Sequence, residues 1–149
     1  HLSADQLSLL DHELAYQCHV AQSAAYQALP KGPIHADLFR DNVMFEGDQL
    51  TGFFDFYFAG VDHWLFDLCV CLNDWCIDLE TGAWDSARRD AMLAAYQSVR
   101  ALQPAERLLL PAMTRAAAES RSPRPRSRWT PAAARAVPWR PAASMRPAS

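Results

Sequence analysis

One stretch, residues 33–67, constrains the fold of this chain most. It holds Asp37 and, after four intervening residues, Asn42, while Asp55 follows a second apolar segment. The intervening residues 43–54 alternate and turn in the pattern of a β-hairpin. Because a hairpin brings its two ends together, Asn42 and Asp55 are predicted to converge beside Asp37.

The residue types at these positions suit the transfer of a phosphoryl group. Such a transfer needs a carboxylate beside the acceptor hydroxyl and oxygen ligands that hold Mg²⁺ against nucleotide phosphates. Asp37 fits the first role, and Asn42 and Asp55 fit the second because Mg²⁺ prefers carboxylate and amide oxygens. Asp-x-x-x-x-Asn is the spacing of a kinase catalytic loop, and Asp55 opens an Asp-Phe pair where Asp-Phe-Gly would follow, with Tyr57 in place of the glycine. The alternative, that these are only turn residues, leaves their ordered combination unexplained.

Three segments carry a resemblance to a known family. They read His-Ala-Asp-Leu-Phe-Arg-Asp-Asn-Val from His35, Phe-Asp-Phe-Tyr-Phe-Ala from Phe54, and Leu-Asn-Asp-Trp-Cys from Leu72. In these segments the chain resembles the bacterial homoserine kinases of the aminoglycoside phosphotransferase and choline kinase superfamily. The resemblance covers residues 1–118. It implies an α+β, mostly helical fold, namely the C-terminal lobe of a protein-kinase-like structure with the N-terminal lobe absent.

The resemblance also implies a reaction and roles for individual residues. The γ-phosphoryl group of ATP would pass to the hydroxyl of L-homoserine on the route to threonine, with Asp37 as the base and Mg²⁺ held by Asn42 and Asp55. His35 and Asp67 would have supporting roles, Asp67 by hydrogen bonding to the catalytic loop. The residues expected to contact the homoserine are Tyr57, Asp62 and Trp75. No residue is assigned to the nucleotide.

Two alternatives stay open beside this interpretation. The acceptor could be another small hydroxyl compound, such as choline or an aminoglycoside, or the chain could be a non-catalytic remnant that serves as an interaction module. With 149 residues the chain could bury one core but not two lobes, so we expect it to be incomplete and inactive by itself. No apolar run suits a membrane span, and neither a membrane nor nucleic acid is an expected partner, which favours a cytoplasmic protein.

The charge of the chain changes sign near residue 115. Residues 1–114 carry 6 Lys and Arg against 16 Asp and Glu, a net charge of −10, whereas residues 115–149 carry 8 Arg against one acid, a net charge of +7. The second part has no Leu, Ile or Phe, so residues 119–149 are predicted to be disordered. A basic arm for nucleic acid is weakly supported, because the segment has no Lys. The favoured hypothesis is out-of-frame translation after Ala118.

Local patterns predict the remaining elements. A capping box at Ser3 opens one helix over residues 3–28, and Asp62 is expected to cap a second helix over residues 63–78. Asp85 should cap a third helix. Pro104 should open a fourth, which Pro111 is expected to end or kink.

Several side chains near the predicted site have two interpretations each. Arg40 is expected to face solvent, with phosphate binding as its functional alternative. Asp74 and Trp75 either border the acceptor pocket or are a solvated carboxylate beside a packed ring. The aromatic residues over 53–58 are expected to shield Asp55 from water. The cysteines are expected to be buried free thiols, because none of them form a Cys-x-x-Cys pair for zinc.

Overall fold

The structure is a computed structural model that describes residues 3–78 and 80–119. Helices predominate in this part of the chain and two small antiparallel sheets accompany them, so the predicted α+β, mostly helical class is confirmed. The hypotheses about the tail concern residues 119–149, and all of these except Glu119 lie outside the described residues. Among the helices that are described, none is both long and apolar enough to cross a membrane.

The first helical region is divided in two. Helix α1 spans Ala4–Gln22 and begins with the predicted capping box, in which the Ser3 side chain accepts from the Gln6 backbone and the Gln6 side chain accepts from the Ser3 backbone. Helix α2 spans Ala24–Gln27. The single predicted helix over residues 3–28 was wrong, because Ser23 has an extended backbone and its hydroxyl caps α2. Serine competes for backbone hydrogen bonds in this way and so favours helix ends.

The two sheets each consist of two antiparallel strands. Strand β1, Lys31–Ile34, pairs with β4, Gly60–His63. Strands β2, Val43–Glu46, and β3, Gln49–Phe53, form the predicted hairpin, with an irregularity between Met44 and Phe45. Gly47 in the hairpin turn has a φ of 60°, a left-handed conformation that glycine adopts without strain.

Three further helices complete the described chain. They are α3, Trp64–Trp75, α4, Ser86–Val99, and α5, Pro104–Glu119. Asp85 caps α4 as predicted by accepting from the backbone N–H of Arg88. The predicted cap of α3 was wrong, since Asp62 lies within β4 and His63 occupies the N-cap position. Pairing with β1 holds residues 60–63 extended, so the helix begins later than the local pattern indicated.

The core lies where α3 packs against α5 and the ends of α1 and α2. Its buried side chains include Leu65, Leu68, Leu72, Leu102, Leu109 and Met113. Helix α5 continues through Pro111 to Glu119, so Pro111 does not end it. Packing of the buried face of α5 offsets the loss of the backbone hydrogen bond that proline cannot donate. Cys69 and Cys76 are buried free thiols as predicted, whereas Cys18 is exposed.

A buried ion pair fixes the connection between α4 and α5. The guanidinium of Arg100 donates to both carboxylate oxygens of Glu106 at 3.0 and 2.9 Å, and the Glu106 side chain has no exposed surface. Glu106 also accepts from the backbone N–H of Gln103 just before α5. Arg100 lies 4.5 Å from the centre of the Trp64 ring, so the pair ties both helices to the start of α3.

Candidate active site

The candidate site is built on the loop between β1 and β2, residues 35–42. Asp37 and Asn42 are both buried, with 5% and 4% of their surfaces exposed. The Asn42 Nδ2 donates to the backbone carbonyl of Asp37 at 2.6 Å and to its Oδ2 at 3.1 Å. The amide therefore fixes both the main chain and the carboxylate of Asp37.

The hairpin brings Asp55 to the same end of the molecule. The backbone N–H of Phe54 donates to the carbonyl of Asn42 at 3.2 Å, one step beyond the pairing of Val43 with Phe53. Asp55 comes next, exposed and in the left-handed backbone region with a φ of 61°. Aspartate tolerates this conformation better than most residues. Asp55 thus lies one residue beyond Phe54, which is bonded to Asn42 just after β3 ends.

His35 links the loop to the strand before Asp55. Its Nε2 lies 2.9 Å from the carbonyl oxygen of Phe54, and its ring packs at 4.6 Å from the ring of Phe56. Because a carbonyl oxygen only accepts, Nε2 carries the hydrogen in this contact. The buried Nδ1 has no hydrogen-bond partner among the described residues. These contacts let His35 hold the loop and the Asp55 segment together.

Asp67 in the first turn of α3 binds the beginning of the loop. Its Oδ2 accepts from the backbone N–H of His35 at 3.0 Å, and its Oδ1 accepts from that of Ala36 at 2.8 Å. Ala36 has a φ of 64°, which an L-residue with a side chain rarely adopts. The two hydrogen bonds to one carboxylate hold this unusual backbone in place.

The same face of α3 contacts the loop further along. Trp75 donates from Nε1 to the carbonyl of Leu38 at 3.1 Å, and the thiol of Cys71 lies 3.8 Å from the same oxygen. Burial, reinforced by the charges of Asp67 and Asp74, raises the pKa of Cys71 to about 12. The sequence contained a signal for this arrangement, because positions 67, 71, 74 and 75 share one face of a helix.

The side chain of Arg40 contacts the C-terminal end of α3. Its backbone N–H and its Nε donate to the Asp74 Oδ2 at 2.8 and 3.1 Å, and its Nη2 donates to the carbonyls of Asp74 and Ile77. The expectation that Arg40 faces solvent was wrong, and so was the alternative of a solvated Asp74, which is buried. The charge of Arg40, whose side chain is 31% exposed, compensates the more deeply buried charge of Asp74.

The three residues expected to contact substrate lie in different surroundings. Tyr57 follows Asp55 in a short 3₁₀ turn and is 84% exposed. Asp62 lies on β4, where its Oδ1 accepts from the backbone of His63 and lies 3.0 Å from the Nδ1 of that ring. Burial lowers the pKa of His63 despite the nearby Asp62 charge. Of the three, Trp75 is the one that hydrogen-bonds to the 35–42 loop.

The aromatic residues around Asp55 do not enclose it. Among residues 53–58, every aromatic side chain is exposed. The expectation that they shield Asp55 from water was therefore wrong for the described chain. The physical reason is that the sheet has only two strands, so no further strand covers these rings in the described chain.

An apolar cavity of about 610 Å³ lies between the hairpin, α3 and α4. The hairpin contributes Phe45 and Phe53 to its wall, and the helices contribute Trp64, Trp75 and Tyr96. Phe45 and Trp75 pack with ring centres 6.0 Å apart. Asp67 and Arg100 are the charged residues of the lining. The cavity thus borders the 35–42 loop and the face of α3 that contacts this loop.

The donor set of Asn42 and Asp55 suits a hard cation. Asn42 uses its Nδ2 to bind Asp37, which leaves its Oδ1 as a possible ligand, and Asp55 offers an exposed carboxylate. Amide and carboxylate oxygens are the ligands that Mg²⁺ accepts. Residues 3–78 and 80–119 hold no group of three or more His, Cys, Asp or Glu side chains placed to bind a metal ion.

Comparison with known proteins identifies the family. The model of the phosphotransferase enzyme family matches residues 2–109. This chain belongs to the phosphotransferase enzyme family. The match spans the loop, the hairpin and α3, so the family assignment covers all the elements that build the candidate site. It agrees with the predicted kinase-like fold.

Relatives of this chain carry a more specific name. A homoserine kinase of Polaromonas naphthalenivorans is 64% identical over 118 residues, and one of Janthinobacterium sp. is 57% identical over 118 residues. Each alignment covers 79% of this chain and 37% of the relative. A homoserine kinase of Ralstonia pickettii is 56% identical over 120 residues, which are 76% of this chain and 36% of the relative. The chain thus spans little more than a third of the length of these relatives.

Proposed function

We propose that this chain carries the catalytic loop of a kinase that transfers the γ-phosphoryl group of ATP to the side-chain hydroxyl of L-homoserine. The observation that carries the proposal is the grip of the Asn42 amide on the carbonyl and carboxylate of Asp37, at the base of the hairpin that leads to Asp55. The names of the relatives support homoserine as the acceptor and threonine biosynthesis as the context.

Asp37 acts as the base in this proposal. With its Oδ2 held by Asn42, the carboxylate has a defined orientation and accepts the proton of the acceptor hydroxyl as the oxygen attacks phosphorus. Burial of Asp37 limits competition from water. His35 and Asp67 keep the backbone on either side of Ala36 fixed, which preserves the direction of the carboxylate.

Asn42 and Asp55 are the proposed ligands of Mg²⁺. Asn42 then serves two groups at once, donating from Nδ2 to Asp37 and offering Oδ1 to the cation. Asp55 approaches from the other end of the hairpin. A bound Mg²⁺ neutralises charge on the nucleotide phosphates during transfer.

Activity is tested in a chimera, because the chain spans only 37% of the Polaromonas relative. The matching 118-residue segment of that relative is replaced by the segment of this chain, and ADP release is measured with homoserine, choline and an aminoglycoside. We expect the highest kcat/KM for homoserine. A higher value for choline or the aminoglycoside would reassign the acceptor, and a folded chimera without ADP release from any of them would favour a non-catalytic remnant.

The role of Asp37 is tested in the same chimera. Asp37→Asn keeps the size of the side chain and the contact with Asn42, but removes the proton acceptor, so kcat should fall by about 100-fold or more. The matched control is Asp41→Asn, an exposed aspartate in the same loop. An equal loss of kcat in the two variants would contradict the assignment of the base.

A further inference from the structure

We propose that Arg40, Asp74 and Trp75 form a loop clasp, a set of positioning residues that holds Asp37 and Asn42 in their working geometry from the end of α3. The inference rests on the proposed function, because it concerns the loop of the same site. It gives the Asp-Trp pair of α3 a role toward the catalytic loop in addition to any part it has in an acceptor pocket.

The ion pair is the first half of the clasp. One oxygen of Asp74 accepts both the backbone N–H and the Nε of Arg40, so the carboxylate fixes the main chain of the loop as well as its side chain. The Nη2 of Arg40 donates to the carbonyls of Asp74 and Ile77, where α3 ends at Trp75. A cation at a helix C-terminus satisfies free carbonyls and the helix dipole. An unpaired Asp74 would be unfavourable there, so the two residues depend on each other.

The indole of Trp75 is the second half of the clasp. Its Nε1 donates to the carbonyl of Leu38 at 3.1 Å, two residues before Arg40. Leu38 is next to Asp37, and only Asp41 separates Arg40 from Asn42. The clasp therefore anchors the loop at two points between the base and the amide that grips it. We infer that the spacing of these two points maintains the hydrogen bond between Asn42 and Asp37.

The contacts of Arg40 distinguish positioning from phosphate binding. Its Nε and Nη2 are directed to Asp74 and Ile77, on the α3 side of the loop. A guanidinium on this side of the loop affects the reaction by fixing the backbone of residues 35–42. Removing it should displace the base, lower kcat and disturb the Asn42 amide. Loss of an arginine that binds phosphate would instead raise the KM for ATP, or lower kcat while leaving the Asn42 amide unchanged.

The kinetic test uses the chimera with Asp74→Asn, Arg40→Lys and Trp75→Phe. Asp74→Asn keeps the shape of the side chain but loses its charge, and we expect kcat to fall about tenfold or more while KM for ATP and homoserine changes less than about threefold. Arg40→Lys and Trp75→Phe each remove part of the clasp and should lower kcat in the same way but less. The control is Asp90→Asn, which breaks an exposed arginine pair on α4 and should leave kcat unchanged.

A second measurement is independent of activity. In the complete 149-residue chain, the NMR signals of the Asn42 side-chain amide report its contact with Asp37. Asp74→Asn should shift these signals and speed the exchange of their hydrogens, and Asp90→Asn should not. This result would support the clasp even if the chimera phosphorylated no acceptor, which would overturn only the proposed function.

Three results would overturn the clasp. The first is that the NMR signals of the Asn42 amide are unchanged in Asp74→Asn. The second is that kcat stays within about twofold of the parent in all three clasp variants. The third is that Arg40→Lys raises the KM for ATP and preserves kcat. Circular dichroism confirms that each variant is folded. If Asp74→Asn does not fold, Arg40→Lys and Trp75→Phe decide the question, because both retain the buried carboxylate and most of the packing.

Discussion

The ion pair between Arg100 and Glu106 gives the sharpest prediction about stability. We consider Arg100→Met, which keeps a long apolar side chain against the Trp64 ring but removes the guanidinium. Glu106 would then be left with no exposed surface, and its remaining partner would be the backbone N–H of Gln103. The bonds to Glu106 also raise the pKa of Arg100, so the guanidinium is charged at any ordinary pH.

The size of the effect follows from the burial of Glu106. Removing one partner of a buried ion pair costs about 3–5 kcal/mol, because the other charge stays desolvated. The Arg100 side chain is partly exposed, so water can enter the space that the guanidinium leaves. We therefore expect a loss of stability at the lower end of this range, about 3 kcal/mol. Small domains have a free energy of unfolding of about 5–15 kcal/mol, so the loss would be a large fraction of the total.

The assay is urea unfolding of the 149-residue chain, followed by circular dichroism. We expect the midpoint to fall with an unchanged m-value, and the melting temperature to drop by about 10 °C or more. The control is Arg89→Met, which breaks an exposed pair with Asp90 and should cost less than about 1 kcal/mol. A loss below about 1 kcal/mol in Arg100→Met would refute the reasoning.

A double variant separates the buried charge from the lost contacts. Arg100→Met combined with Glu106→Leu leaves neither charge, and such replacements of buried pairs are often neutral or stabilising. The Gln103 N–H loses its acceptor, which costs about 1 kcal/mol for a helix cap. We therefore expect the double variant to be more stable than Arg100→Met. A double variant that is less stable would mean that packing, not charge, dominates at this position.

Three other predictions concern the candidate metal ligand, a buried histidine and a strand glycine. Asp55→Asn should weaken Mn²⁺ binding, measured by calorimetry on the chain, with little change in melting temperature, whereas Asp48→Asn in the hairpin turn should leave binding unchanged. Burial lowers the pKa of His63, so neutral His63 contributes fully to the stability of the folded state above about pH 6.5. This contribution is lost as the pH falls through the lowered pKa. In thermal melts, the melting temperature should therefore fall more steeply with acid for wild type than for His63→Gln. Gly32→Ala would place a Cβ 2.2 Å from an indole nitrogen and should cost about 1–3 kcal/mol in urea unfolding, while Gly60→Ala, with open space around it, should cost little.

The elements that were predicted correctly depend on neighbours in the sequence. The capping box at Ser3, the cap at Asp85 and the hairpin over residues 43–53 all form from residues within a few positions of one another. Several of the errors involve distant partners, whereas the break between α1 and α2 is a local effect of Ser23. Strand β1 recruits residues 60–63 into a sheet, which local propensity could not indicate for the start of α3. The buried face of α5 also carries the helix past Pro111, where the sequence predicted either an end or a kink.

The sequence predicted which residues make up the candidate site, but not all of the contacts that hold its loop in place. The motif named Asp37, Asn42 and Asp55, and their roles in catalysis remain predictions. Arg40 and Asp74 lie 34 residues apart, and a polar loop residue is normally expected to face solvent. The contact arises because one face of an otherwise apolar helix carries polar groups at the spacing of its turns. That periodicity is visible in the sequence, but its partner on the loop is not.

The two hydrogen bonds from Asp67 to the backbone at His35 and Ala36 have a consequence for motion. Left-handed alanine costs about 1–2 kcal/mol, so this peptide would relax if it were released. It is held instead by a carboxylate on α3, whose core residues are among the most buried in the described chain. The amides of His35 and Ala36 should therefore exchange their hydrogens with solvent as slowly as those of the helix interior, although they belong to a loop. The loop therefore shares the rigidity of α3 for as long as both hydrogen bonds to the Asp67 carboxylate are formed.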